Sequence, residues 1–210
     1  MTRPCLHGHA ILTTPTLPPY VGPLYEYWTH GGGISVRAER THLHACIPLS
    51  TALVRGLPTL TPTVDLALPR VPQGAVALML DRARAAQVHS RPIEILFHLS
   101  WGGQRWRLDI PPQTGSATRV QPTDGGPDSS YATALIELHS HHTMPAFWSG
   151  TDDADEQGFR LYAVLGTVFT RPTLRLRVGV YGMFYEIDPA AVFALPPEFS
   201  PYAHREETDR

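Results

Sequence analysis

Two histidines two positions apart, His139 and His141, followed by Ser149 and Asp152, form a pattern with an evident chemical use, H-x-H-x7-S-x2-D. The run Ala132 to Leu138 that precedes them is apolar with a single charge. It is expected to form a buried strand, in which side chains two apart share a face. His139 and His141 then point the same way, with α-carbons roughly 6.5 Å apart at the usual strand rise. That spacing lets two imidazoles converge on one ion at about 2.0–2.1 Å from each nitrogen. Asp152 can supply a third ligand, and three protein ligands leave a tetrahedral zinc one open position, as in a catalytic rather than a closed structural site. A plainer reading makes the histidines a polar strand end, and Ser149 and Asp152 the cap of a helix whose start carries Asp153, Asp155 and Glu156, acidic residues that the helix dipole favours there. The two readings are compatible, because a cap would fix Asp152 where the histidines need it.

The elements that must position this pattern lie on both sides of it. Between Pro72 and Ser90, Val76, Met79, Leu80, Ala83 and Ala86 recur at helical spacing, with Asp81, Arg82, Arg84 and Gln87 on the other side. After Arg91-Pro92, Ile93 to Trp101 reads as an apolar strand with Glu94 near its beginning. A carboxylate in such company is costly unless it is paired or given a task. Glu94 either has a task, or sits at the solvent end of the strand, or bonds Arg91. Glu137 competes with it, since it shares a face with His139 and His141; it is a candidate base or an orienter of a histidine, as metal sites require. Gly102-Gly103 makes a turn, Gln104 to Ile110 returns as a strand, and Pro111 to Ser130 is polar and rich in Gly and Pro, best read as a long loop. Beyond the motif, Asp153 to Phe159 suits one or two helical turns, Leu161 to Phe169 a buried strand, and Leu174 to Ile187 two or three alternating strands.

The chain divides by composition. Residues 1–72 read as a β-rich N-terminal unit, 73–195 as the domain that carries the motif, and 196–210 as a flexible C-terminal tail. In the first unit, Leu24 to His30 and Ile34 to Ile47 flank Gly31-Gly32-Gly33 as a hairpin, and Leu49 to Leu57 is a short helix or turn. His42, His44 and Cys46 alternate along the second run and are a weak candidate ligand set; His7 and His9 are weaker still. Cys5 and Cys46 are too few and too isolated for a disulfide framework or a cysteine-based zinc site.

At 210 residues and 42% hydrophobic, the chain is long enough for a full core and an appended smaller unit. The net charge of -2 gives no electrostatic reason to expect direct nucleic-acid binding. No apolar run approaches the ~18–20 residues that cross a bilayer, so no membrane partner is expected. Met1-Thr2-Arg3-Pro4 does not lead into the apolar core of a signal peptide, and a cytoplasmic location is expected.

The motif with its apolar strand resembles the JAMM motif of the JAB/MPN zinc metallopeptidases, whose members cut isopeptide or peptide bonds at the C-terminus of ubiquitin and ubiquitin-like proteins. The resemblance covers roughly residues 73 to 190. It implies an α/β fold, a mixed β-sheet flanked by helices, with Zn2+ held by His139, His141 and Asp152 and Ser149 beside the developing oxyanion. In that family the general-base glutamate follows the first long helix at the start of a core strand, the place Glu94 holds here. An insertion before the metal strand can clamp the tag protein in the family, which makes 111–130 a candidate contact. Many members have proline after the second histidine, whereas this chain has His142, expected to face away from the metal if the strand continues. The short turn at Thr170 lacks the longer insertion of ubiquitin-specific eukaryotic relatives. The whole chain, with its N-terminal unit, is similar to the bacterial JAB-domain proteins of the PRTRC cassette, a group associated with a ThiF-like activating enzyme, a small ubiquitin-like protein and a ParB-like protein.

The function expected on this basis is a zinc-dependent peptidase or isopeptidase acting on a ubiquitin-like tail. The same site acting on a small sulfur-carrier tail or amino-acid adduct is a second possibility, and a non-catalytic JAB/MPN scaffold or partner-binding module a third. A nucleobase deaminase needs a P-C-x-x-C segment as well as H-x-E, and the chain has no P-C-x-x-C.

Overall fold

The computed structural model describes residues 7–22 and 24–201; Cys5 lies outside them. The chain is a mixed α/β protein dominated by strands, 43% against 13% helix. Its residues cluster into two compact units. One gathers the chain up to Leu68 with Glu156–Phe159 and Val178–Tyr185; the other comprises Pro69–Asp155, Arg160–Arg177 and the residues from Glu186 on.

In the first unit β1 (His7–Ile11), β2 (Tyr25–His30), β3 (Gly33–Arg40), β4 (Leu43–Thr51) and β5 (Thr63–Leu66) form a five-stranded sheet in sequence order. β1 runs parallel to β2 and the other pairings are antiparallel. Trp28, Val36, Ala38, Ala45 and Ile47 are buried. At the β2–β3 turn a Cβ on Gly31 would lie 2.3 Å from the Leu57 carbonyl oxygen, so only glycine lets the 57–58 segment pass this close. The run Ile34 to Ile47 is two strands, not one. Thr41 and His42 make a tight turn, with His42 at φ 68°. His42 is therefore not on a strand face with His44 and Cys46. His44 is exposed with Nδ1 3.3 Å from Glu39, and Cys46 is buried with a free thiol. Leu49 to Leu57, expected as a short helix or turn, forms no helix: β4 runs to Thr51 and a turn follows at Arg55-Gly56.

The second unit opens with α1 (Gln73–Ala85), which buries Val76, Met79, Leu80 and Ala83. The helix stops at Ala85 because β6 (Gln87–Val88) and β7 (Arg91–Pro92) form a minimal hairpin, with His89 and Ser90 both at positive φ. Next along the chain come β8 (Leu96–Gly102), β9 (Arg105–Asp109), β10 (Gln113–Gly115), β11 (Val120–Pro122), α2 (Ser130–Thr133), β12 (Ile136–His141), α3 (Gly150–Asp155), β13 (Phe159–Gly166), β14 (Thr173–Val180) and β15 (Met183–Ile187), of which residues 178–185 group with the first unit. The segment 111–130, expected to be loop, contains the β10–β11 hairpin, and α2 begins at its last residue.

The main sheet has the order β15-β14-β13-β12-β8-β9. β12 sits inside it, parallel to β13 and antiparallel to β8. Residues directly opposite across strands share a face. Ile136 and Leu138 meet Leu99 and Phe97 on one face, all buried, while Glu137 and His139 meet His98 and Leu96 on the other. The motif thus projects from a strand whose reverse side is hydrophobic core, which holds its backbone rigid. Of the stretch from Pro196 on, residues 196–201 are described. Phe199 is buried and Ser200 donates its backbone N–H to the Pro172 carbonyl at 2.8 Å. Among the described residues no helix is long and apolar enough to cross a membrane.

Candidate metal centre

The two-residue period of β12 puts the His139 and His141 imidazoles side by side, with Nε2 atoms 3.1 Å apart and ring centroids 5.0 Å apart. Asp152 enters from α3 and sets Oδ1 3.4 Å from His139 Nε2. All three candidate ligand atoms lie within 4.8 Å of one another. Ligands at about 2.0–2.1 Å in a tetrahedral array stand ~3.3–3.4 Å apart, close to the His139–His141 and His139–Asp152 separations. His142, which follows the second histidine, is buried and is not part of the cluster.

The protonation states suit the same use. His141 Nδ1 lies 3.3 Å from the Pro145 carbonyl oxygen. A proton on Nδ1 donated to that carbonyl leaves the Nε2 lone pair facing Asp152 and His139, the tautomer a metal ligand requires. Burial lowers the pKa of both imidazoles, and His139 falls to about 4 through burial, against the pull of Asp152, with His141 and Arg177 lowering it further. Both rings are therefore neutral at neutral pH, as ligation demands. Gly166, opposite His141 on β13, makes the Pro145 contact possible. A Cβ there would fall 2.1 Å from the Ala146 nitrogen, so the chain can fold back beneath its own ligand strand only over a glycine. Phe147 meets the His141 ring edge-on at 4.6 Å.

Ser149 and Asp152 form a reciprocal cap. Ser149 Oγ accepts from the Asp152 N–H at 3.2 Å and donates to Asp152 Oδ2 at 2.6 Å, and Oδ2 also accepts from the Ser149 N–H at 2.6 Å. This is the capping-box arrangement with aspartate in the acidic position. One carboxylate oxygen is spent on the helix start, and the other is left for His139. The cap also engages the Ser149 hydroxyl, so that hydroxyl must turn away from Asp152 before it can donate to a substrate oxygen.

Glu94 reaches the same spot from just ahead of β8. The β8–β12 pairing carries on past Leu96 through Ser140 N–H to the Ile95 carbonyl at 3.1 Å, which brings the next residue, Glu94, beside His141. Its Oε1 is 3.8 Å from His141 Nε2, and the side chain is 4% exposed with that oxygen lacking a hydrogen-bond partner. Burial first, and the Asp152 carboxylate second, push its pKa up to about 7. A buried carboxyl with an orphaned oxygen beside the His141 ring nitrogen and near a second carboxylate is costly in the bare protein, and a divalent cation among those donors would relieve it. The residues present fit zinc.

Glu137 lies on the same face but its carboxylate is used elsewhere. Oε2 is 3.4 Å from Arg160 Nη1 and 3.7 Å from His98 Nε2. Arg160 also donates to the Tyr131 carbonyl at 3.1 Å and stacks over the Tyr131 ring at 3.9 Å. Sequence reasoning missed the groups that hold α3. Arg177 on β14 donates to Asp153 Oδ1 at 2.6 Å and lies over the Trp148 ring at 4.1 Å. Arg119 and Gln121, from the β10–β11 hairpin, reach Asp155 Oδ2 at 3.3 and 3.5 Å. The alternation in Leu174 to Val180 put Arg175 and Arg177 on one strand face, but nothing in it says which of them meets α3. Compared with protein-family models and with curated proteins, the chain matches none.

Proposed function

We propose that the protein is a zinc metallopeptidase of JAMM type that hydrolyses a peptide or isopeptide bond at the C-terminus of a ubiquitin-like protein, with a JAB/MPN-like catalytic domain. The observation that carries the proposal is the convergence of His139, His141 and Asp152 within 4.8 Å, with Glu94 Oε1 3.8 Å from His141 Nε2. The substrate class comes from the resemblance of the motif, and the PRTRC system protein A group suggests a cassette partner, a ThiF-like activating enzyme that would make the conjugate this enzyme undoes.

His139 Nε2, His141 Nε2 and Asp152 Oδ1 would hold the ion. Bound zinc supplies Lewis acidity that brings the pKa of a water toward ~7 and polarises a carbonyl. The chain supplies the rest. Glu94 takes a proton from the attacking water at Oε1 and passes it to the leaving amine, a task suited to a buried carboxylate that a neighbouring cation holds ionised and ready to accept. The Ser149 hydroxyl, once turned from Asp152, is the candidate donor to the substrate oxygen. The Pro145 carbonyl keeps His141 in the ligand tautomer throughout.

The test is incubation of the zinc-loaded protein with a ubiquitin-like cassette partner fused through its C-terminus to a reporter. Cleavage that is lost in Glu94→Gln while zinc is retained supports the proposal. Full turnover in Glu94→Gln with loss in Glu137→Gln reassigns the base, and tight binding without any cleavage makes the chain a scaffold.

A further inference from the structure

The third ligand of the cluster rides on an element with almost nothing to hold it. α3 has six residues and none of them is buried, and a helix of that length is unstable alone. It contributes no side chain to the core, so its position comes from polar contacts. Ser149 caps its start, but that cap is part of the same turn and moves with it. What ties α3 to the rest of its unit is a row of acidic residues, each gripped by a different element. Asp152 meets His139 on β12, Asp153 meets Arg177 on β14, and Asp155 meets Arg119 and Gln121 of the β10–β11 hairpin.

These grips are not equal. Arg119 and Asp155 are 52% and 47% exposed in their side chains, and water and salt screen pairs of that kind until they contribute little. Arg177 is 5% exposed, donates to Asp153 at 2.6 Å, and sets its guanidinium carbon 4.1 Å from the ring centre of Trp148, the residue just before the cap. Its planar guanidinium combines a charged hydrogen bond with an aromatic contact, a pairing a lysine could not reproduce. It also lies near enough to His139 to depress that ring's basicity. One side chain thus spans the segment before α3 and the residue after Asp152.

We propose that Arg177 is the positioning residue of the metal centre. Through Asp153 and Trp148 it sets the helix that delivers Asp152, so that metal affinity as well as local order depends on its guanidinium. The inference rests on the metal reading for its consequence, but not for its structural half. Changes to groups that orient a ligand typically cost about 10–100-fold in metal affinity, and that is the loss expected here.

The experiment uses the full chain and the variants Arg177→Met, Asp153→Ala, the double variant, and Arg119→Met as the exposed control. Zinc affinity is measured by competition with a chromophoric chelator, the Co2+ spectrum reports the ligand geometry, and amide exchange of residues 150–155 is followed in metal-free protein. Arg177→Met and Asp153→Ala each weaken zinc by about 10–100-fold and alter the Co2+ bands, the double variant is no worse than the weaker-binding single, and Arg119→Met stays near wild type. In metal-free protein, Arg177→Met releases the protection of 150–155 while that of 161–165 persists. Wild-type zinc affinity in Arg177→Met, effects that multiply in the double variant, or unchanged exchange of 150–155 overturns the proposal. If the wild type itself binds no zinc, the metal reading fails, and the metal-free exchange still decides whether Arg177 holds α3. Should Arg177→Met not fold, Asp153→Ala, changed at a half-exposed side chain, decides by the same readouts.

Discussion

Replacing Glu94 by glutamine should stabilise the metal-free protein, and more so as the pH rises. The carboxyl is 4% exposed and its pKa stands at about 7 against an ordinary 4.5. Folding therefore favours its protonated form. Below pH 4.5 the group is protonated in both states and the preference is fully present; it is lost as the pH rises to about 7, because the folded state must then give up a proton that the unfolded chain has already released. At ~1.36 kcal/mol per pKa unit the difference amounts to about 3 kcal/mol. Glutamine does not titrate, so the stability of Glu94→Gln relative to wild type should improve by about 3 kcal/mol between pH 4.5 and pH 8. Urea unfolding of both proteins in chelator, at several pH values across that window, measures it. Saturating zinc should shrink the difference, since a cation beside Glu94 favours its ionised form. A gap between the two proteins that stays constant from acid to alkaline pH would refute the reasoning, and with it the claim that the carboxyl is held in an uncompensated site.

Ser149→Ala removes the cap and frees Asp152. It should cost about 1 kcal/mol in urea unfolding and about tenfold in zinc affinity; no change in either would mean that the cap does not orient the ligand. Gly166→Ala drives a methyl into the Ala146 nitrogen, 2.1 Å away, and should destabilise by about 1–3 kcal/mol, with the His141 Nδ1 resonance shifting as its Pro145 partner moves. Glu137→Gln leaves Arg160, 6% exposed, without its counter-charge and should cost about 3 kcal/mol, yet zinc content should not change, because that carboxylate serves Arg160 and not the cluster.

What could be read from the sequence was what depends on local period. The H-x-H spacing put two imidazoles together because a strand repeats every two residues, and Val76, Met79, Leu80 and Ala83 marked the buried face of α1. Glu94 was legible through the resemblance, and its place beside His141 follows from strand register. The misses share a cause as well. Thr41 and His42 turn the chain without glycine or proline, so β3 and β4 read as one strand. In the β10–β11 hairpin the Gln113 side chain bonds the Leu96 backbone at both N–H and carbonyl, imitating a strand partner in a stretch whose composition signals loop. Arg177, Arg160 and the grouping of Val178–Tyr185 with the first unit depend on contacts between distant parts of the chain, which no local pattern encodes.

The most direct measurement is the zinc content of the purified chain, prepared without chelator, for wild type, His139→Ala and Asp152→Asn at matched folding by circular dichroism. One zinc per wild-type chain, lost in His139→Ala and weakened in Asp152→Asn, is the predicted result. A folded wild type that takes up no zinc, or zinc that survives the loss of His139, would contradict the account.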